Sequence, residues 1–338
     1  MSTNLVITEN VELHNIAELV SLPDSEGKAI CRIPLDLRDK LNERAQACSM
    51  QAAGCELRFN LLGDEARVTL EMVERPAIAE VYCGPFLIGW HVIDTAPTEI
   101  SIVRPERHAL LDRMPQSQFV SFAPDLFRVA LPWRPPVRLH AIEGYLTPPR
   151  PGQVPGQRYL AYGSSITHGN SSVGATAGYA IRTARRLGVD LVNLGFGGGA
   201  HCEPEMADYI AARTDWDFAT LELGINMVTW LETADFAERV AYFISTIASV
   251  HPEKWIFCID MFPFYMDFDP QAERNHAYRA VVRETVAELA LPKLLHLDGR
   301  DLLRDVTGLC ADVVHPAPAG MGEIAANLAT RLQRTMTS

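Results

Sequence analysis

Two rhythms of hydrophobic and polar residues divide the chain. Up to about residue 150, apolar side chains recur in short alternating runs. Residues 55–61 set Leu57, Phe59 and Leu61 against Glu56, Arg58 and Asn60, and residues 66–73 continue in the same manner. Period-2 alternation marks a strand with one buried face, so the two runs, with Gly63-Asp64 between them, read as a hairpin. Further short strands are expected at 6–13, 79–83, 86–91, 99–103, 127–131 and 137–143, with turn residues between them. Residues 34–42, with Leu35, Leu37 and Leu41 among charges, read as a short helix beginning at Pro34. Many short strands with little helix predict a β-sandwich over residues 1–150.

Residues 146–156 carry Pro148, Pro149, Pro151 and Pro155 with Gly152 and Gly156. Prolines fix φ and remove donors, so this stretch is expected to be a semi-rigid linker. From residue 157 to 338 the rhythm becomes strand–helix alternation. Strands are expected at 158–162, 190–194, 218–223, 255–260 and 293–297. Helices are expected at 177–187, 204–212, 234–250, 271–289 and 318–334. That order predicts an α/β domain with a parallel sheet covered on both faces, which binds ligands beyond the carboxyl ends of its strands. Ser165, Gly198, Asn226 and Met261 each follow a strand and are expected to share that rim, while His315 precedes the last helix.

Composition narrows the function. The 338 residues carry 30 Lys+Arg against 42 Asp+Glu, a net charge of −12, and no basic stripe, which argues against nucleic acid as a partner. Nothing near the start resembles a signal peptide, and no apolar run reaches membrane-spanning length, so no membrane partner is expected. Seven cysteines without a regular framework or a CxxC predict reduced thiols and a cytoplasmic protein. No metal-ligand spacing involves His168 or His201, so no metal and no cofactor are expected.

The rim residues carry candidate chemistry. Ser165, in Tyr162-Gly163-Ser164-Ser165-Ile166-Thr167-His168-Gly169, sits on the turn leaving a strand. That position lifts a hydroxyl off the sheet and suits a nucleophile, though Gly and Ser also fill ordinary turns. Asp312 and His315 are three apart. A carboxylate at that spacing reaches the imidazole Nδ1–H, and the same pair also occurs as a solvated helix start. Gly197-Gly198-Gly199 lets backbone N–H groups face a ligand. One reading is an oxyanion donor. Another is dinucleotide binding, since Gly195-x-Gly197-x-x-Ala200 fits the phosphate-binding pattern and Glu222 stands where a ribose hydroxyl would be held. A third is a plain loop. Asn226, in Gly224-Ile225-Asn226, either donates to an oxyanion or serves a turn.

Four pieces in this order, Gly163-Ser164-Ser165, Gly198, Gly224-Ile225-Asn226 and Asp312-Val313-Val314-His315, resemble the SGNH (GDSL-like) hydrolases, from about residue 158 to the C-terminus. The resemblance implies a three-layer α/β/α, flavodoxin-like hydrolase domain over 157–338, preceded by a β-sandwich of jelly-roll-like form over 1–150. It implies Ser165 as nucleophile, His315 as base and Asp312 as its orienting acid. It also implies an oxyanion hole of the Ser165 and Gly198 N–H groups and the Asn226 side chain. The usual Gly-Asp-Ser is Gly-Ser-Ser here. The activity implied is cleavage of a small-molecule ester, a carbohydrate or natural-product ester among the options, or acyl transfer to an alcohol by the same acyl-enzyme. The β-rich part would wall the pocket or bind glycan. Trp90 or Trp133 would stack on a sugar in the second case and belong to the core otherwise. The number of subunits is left open.

Overall fold

Residues 56–72 form one continuous strand, not the expected hairpin. The computed structural model describes residues 9–337 apart from 24, 112, 114–120 and 271. In this strand, β4 (Glu56–Met72), Leu57, Phe59 and Leu61 are buried, and so are Ala66, Val68, Leu70 and Met72. The buried apolar positions therefore move from odd to even across Gly63-Asp64, where the register shifts, while the polar Glu56, Arg58 and Asn60 of the first half are buried as well. The alternation correctly marks two extended runs, but neither pairs with the other. The first half pairs with β1 (Glu12–His14) and β8 (Leu126–Ala130) and the second with β7 (Thr98–Val103), while β9 (Val137–Thr147) pairs with β4 on both sides of the bend, at Asn60-Leu61 and from Ala66 to Met72. Gly63-Asp64 is a bend in passing rather than a reversal.

The remaining strands of this antiparallel region are β2 (Glu18–Leu22), β3 (Ser25–Cys31), β5 (Ala77–Cys83) and β6 (Phe86–Ile93), in the order β2-β3-β9-β4-β8-β5-β6, with β1 and β7 also on β4. The strand expected at 6–13 begins outside the described residues, and the observed β1 starts at Glu12. Its short helices are α1 (Leu35–Arg38), α2 (Glu43–Ser49) and α3 (His108–Leu111). α2 starts at Asn42, whose side chain accepts from the Ala45 N–H. Trp90 is 69% exposed on β6, not in the core. The proline-rich stretch after β9 is tied down. The buried Gln153 donates to Asn60 Oδ1 at 2.7 Å, and Asn60 donates to the Pro148 carbonyl at 2.8 Å.

The second region alternates as expected. It contains β10 (Arg158–Gly163), α4 (Ser165–His168), α5 (Tyr179–Leu187), β11 (Asp190–Gly195), α6 (Pro204–Ala212) and β12 (Phe218–Glu222). Then come α7 (Thr233–Val250), β13 (Trp255–Ile259), α8 (Arg274–Leu289), β14 (Leu294–Leu297), α9 (Gly299–Leu302) and α10 (Pro318–Thr337). The five strands are parallel in the order β11-β10-β12-β13-β14, the doubly wound 2-1-3-4-5 arrangement. Side chains alternate between two cores. Leu160 and Val192 pack with Met206, Phe243 and Tyr278 of α6, α7 and α8. Tyr159 and Leu191 pack with Tyr179 of α5 and Met321 and Leu328 of α10 on the other face.

Buried charges join the two regions. Arg58 of β4 donates to both carboxylate oxygens of Asp190, at 2.9 and 2.7 Å, and all three groups of the Arg58–Asp190–Glu56 set are almost fully buried. Burial alone would raise the Glu56 carboxyl, but Arg128 and Arg58 hold it down at about 2. Asp190 is likewise held well below its ordinary value, by His14 and Arg58 against its burial.

Candidate active site

The carboxyl end of β10 runs into a turn with no room to spare. A Cβ on Gly163 would stand 2.5 Å from Glu222 Oε2 and closer still to Thr167 Oγ1, so only glycine fits. Ser164 caps α4, its hydroxyl accepting from the Ile166 N–H. Ser165 is then the first helical residue, its Oγ clear of the sheet. Beneath it, Glu222 Oε2 accepts from the Ser164 N–H at 2.6 Å and the Thr167 hydroxyl at 3.1 Å. Burial pushes this carboxyl up, and those hydrogen bonds offset it in part.

Ser165 Oγ lies 2.8 Å from His315 Nε2. The other ring nitrogen, Nδ1, is 2.7 Å from Asp312 Oδ2. Asp312 Oδ1 accepts from the backbone N–H of both Val314 and His315 at 3.0 Å. Those three residues form a tight turn with Val313 at φ 52°, and the Tyr265 N–H donates to the Val313 carbonyl at 2.8 Å. The Asp312 carboxyl stays below its ordinary value despite partial burial, because the His315 ring and the two backbone N–H groups favour the carboxylate. With Nδ1–H donating to Asp312, Nε2 is left to accept the serine proton. The expected pair is thus not a free helix-start pair.

The glycines differ in their duties. Gly199 N–H donates to the Phe196 carbonyl, closing a turn whose third residue, Gly198, has φ +73°. Gly199 itself is pressed against α2, and Gly197 is the one whose Cβ would stand 3.6 Å from Ser165 Cβ. Gly199 is therefore excluded as a donor to substrate, leaving Gly197 and Gly198 on the cleft. Asn226 Oδ1 accepts from the Ala200 N–H at 3.2 Å, which leaves its amide NH2 available to the same cleft.

This arrangement overturns the dinucleotide reading of the 195–199 loop. Glu222 is buried under the nucleophile turn, out of reach of any ribose, and the Gly199 and Ala200 N–H groups are already used. His168 is buried between the carbonyls of Gly195 and Trp133, at 2.9 and 3.2 Å, and burial with the nearby Arg32 charge pushes it down to about 3. His201 lies 3.1 Å from the Gly198 carbonyl. Among the described residues, no three His, Cys, Asp or Glu side chains converge as metal ligands would, and no helix is long and apolar enough to cross a membrane.

Sequence reasoning missed the support from the antiparallel region. Arg32, 1% exposed, donates only to carbonyls: Gln51 at 2.7 Å, Asn193 at 2.8 Å, Cys48 at 2.9 Å and Gly195 at 2.7 Å. It fastens the end of α2 to the strand that leads into the glycines. Trp133 and Arg134, which follow β8, complete a cleft of about 500 Å³ over Ser165 and His315. A lone buried arginine has no local sequence signature, because its partners are backbone atoms far away in the chain.

Residues 161–322 match the family model of the GDSL-like lipase/acylhydrolase family. No curated protein matches. Among solved structures, a salicylyl-acyltransferase, SsfX3, from a tetracycline biosynthetic pathway aligns over 97% of this chain and 95% of its own at TM-score 0.78 and 19% identity. A family two carbohydrate esterase from Clostridium thermocellum, solved with cellohexaose, aligns over 97% and 99% at TM-score 0.64 and 15% identity. One of the same family from Cellvibrio japonicus aligns over 98% and 97% at TM-score 0.64 and 13% identity. At these identities the likeness is one of fold, and it extends across both regions.

Proposed function

Starting from a chain whose residues 161–322 form a GDSL-like lipase/acylhydrolase domain, we propose a serine esterase that works through an acyl-enzyme on Ser165. The observation that carries this reading is the hydrogen-bonded series Ser165–His315–Asp312 opening on the cleft. His315 Nε2 takes the Ser165 proton as Oγ attacks the ester carbonyl, and Asp312 steadies the imidazolium that forms. The oxyanion is held by the N–H groups of Ser165 and Gly198 and by the Asn226 amide, with Gly197 beside them. His315 returns the proton to the departing alcohol. A water activated by the same imidazole then releases the acid.

An alcohol in place of that water would make the enzyme an acyltransferase. A cleft of about 500 Å³ has space for an acceptor beside a small acyl group, and the fold is shared with a salicylyl-acyltransferase as well as with carbohydrate esterases. The antiparallel region is proposed to be a β-sandwich accessory domain over 1–150, of jelly-roll-like form, that walls the pocket. Arg44, Cys48, Trp133 and Arg134 on the cleft support that role. Seven cysteines without a regular spacing framework support a reducing, cytoplasmic setting. The test is a panel of aryl acetates, sugar acetates and longer esters, with and without acceptor alcohols, read by product mass. Acid release identifies the esterase and a new ester the transferase. Inertness toward every ester would refute both.

A further inference from the structure

The half of the cleft built by the antiparallel region is cationic. Arg44 from α2 and Arg134 line it, against one carboxylate, Glu74. Among the described residues neither arginine has a carboxylate partner. Arg134 has Asn170 Oδ1 at 3.4 Å, and its guanidinium is 6.0 Å from the Trp133 ring centroid. Arg44 runs past the glycine turn, its Cγ and Cδ 4.0 Å from where a Cβ on Gly198 would stand. Burial pushes the Cys48 thiol up, and the charges of Arg32, Arg134 and Arg44 all act on it in the opposite sense. That thiol donates to the Gly197 carbonyl at 3.2 Å. Three positive charges therefore bear on the loop beside Ser165, in a chain whose net charge is −12. A cleft lined by one sign of charge concentrates ligands of the other, and guanidinium is suited to planar, two-point recognition of carboxylate and phosphate.

We infer that this cleft selects esters bearing an anionic group, a carboxylate or a phosphate, which Arg44 and Arg134 hold while the ester carbonyl lies against Ser165 and the glycine turn. The inference rests on the ester-cleaving reading and adds the class of substrate to it. The anion can belong to the acyl part or to the leaving alcohol, and matched substrates distinguish the two. Mono-4-nitrophenyl glutarate against its methyl ester places the charge on the acyl side. On the leaving-group side, 4-acetoxybenzoate is set against its methyl ester, and 4-acetoxyphenyl phosphate against 4-acetoxyanisole.

The charged member of at least one pair should be preferred by about 10-fold or more in kcat/KM, carried by KM, since hydrogen bonds to charged groups are of that order. The preference should decline with added salt. Arg44→Gln and Arg134→Gln should each pull the charged-to-neutral ratio toward one, and Glu74→Gln should raise it. A ratio at or below one for every pair, or a ratio unmoved in the double arginine variant, overturns the inference and leaves ester cleavage standing. Failure to cleave any member, with no labelling of Ser165 by a fluorophosphonate, removes the ester-cleaving reading and this inference with it.

Discussion

Adding one methyl group to Gly199 tests whether α2 positions the glycine turn. The new carbon would stand 2.5 Å from Ala45 N, 2.8 Å from Ala45 Cα and 2.9 Å from Arg44 C, all backbone atoms that no rotamer change can move. Ordinary van der Waals contact begins at 3.4 Å, so relief requires a separation of about 0.9 Å (3.4 − 2.5) between the turn and α2. Misplacing a catalytic group by about 1 Å costs on the order of 10²-fold in rate. Overpacking of this kind costs about 1–3 kcal/mol in stability. Gly199→Ala should therefore lower kcat on an aryl acetate by roughly 10²-fold, with a smaller change in KM, and lower Tm by several degrees. Gly156→Ala is the control. Nothing lies within 4 Å of its added carbon and its φ is unrestrictive, so it should change neither quantity measurably. A Gly199→Ala enzyme with wild-type kcat, or one altered in KM alone, would refute the idea that α2 sets the turn.

Three further outcomes are expected. Asn226→Ala should cost roughly 10²–10³ in kcat with little change in KM, because the oxyanion exists only in the transition state; the reverse split would make Asn226 a ground-state binding group. Asp190→Asn should destabilise by about 3 kcal/mol in urea unfolding, since it breaks a buried bidentate pair and leaves Arg58 only Glu56 and Glu12 as carboxylate partners among the described residues. Stability should fall as pH drops below about 6.5. The unfolded chain then protonates His168 at its ordinary 6.5, while the fold resists until about 3, and Glu56, held at about 2 against an ordinary 4.5, loses its contribution between those values. Glu222, pushed up by burial, acts in the opposite sense, so a Tm that rose steadily from pH 6.5 to 4 would mean its contribution outweighs the other two.

What was legible in the sequence follows from how locally each feature is encoded. The strands of the parallel sheet are buried on both faces, so they stand out as apolar runs between helices punctuated by Pro204, Gly188 and Pro318. Ser165, Asn226 and the glycines were found because each follows such a strand, and His315 because an aspartate stands three residues before it. β3 escaped notice because Ser25-Glu26-Gly27-Lys28 is polar, although the strand ends in the buried Ile30 and Cys31. β4 pairs with strands far along the chain, Glu56 with Ala130 for one, so the bend in β4 looked like a hairpin. Arg32, Glu222 and the cleft wall of Arg44 and Arg134 owe their roles to partners far away in the chain. A polar residue read alone gives no sign that it will be buried under a catalytic turn.

The central claim is that an acyl group rests on Ser165, and the direct measurement is intact and peptide mass spectrometry of enzyme quenched during turnover of an aryl acetate. The account predicts a single acetyl adduct on the peptide holding Ser165, located on Ser165 and not on its neighbour Ser164. The adduct should accumulate in the burst phase, disappear on chase, and be absent from Ser165→Ala. Turnover with no adduct at any time point in a rapid quench series, or an adduct on Ser164 that persists in Ser165→Ala, would contradict it.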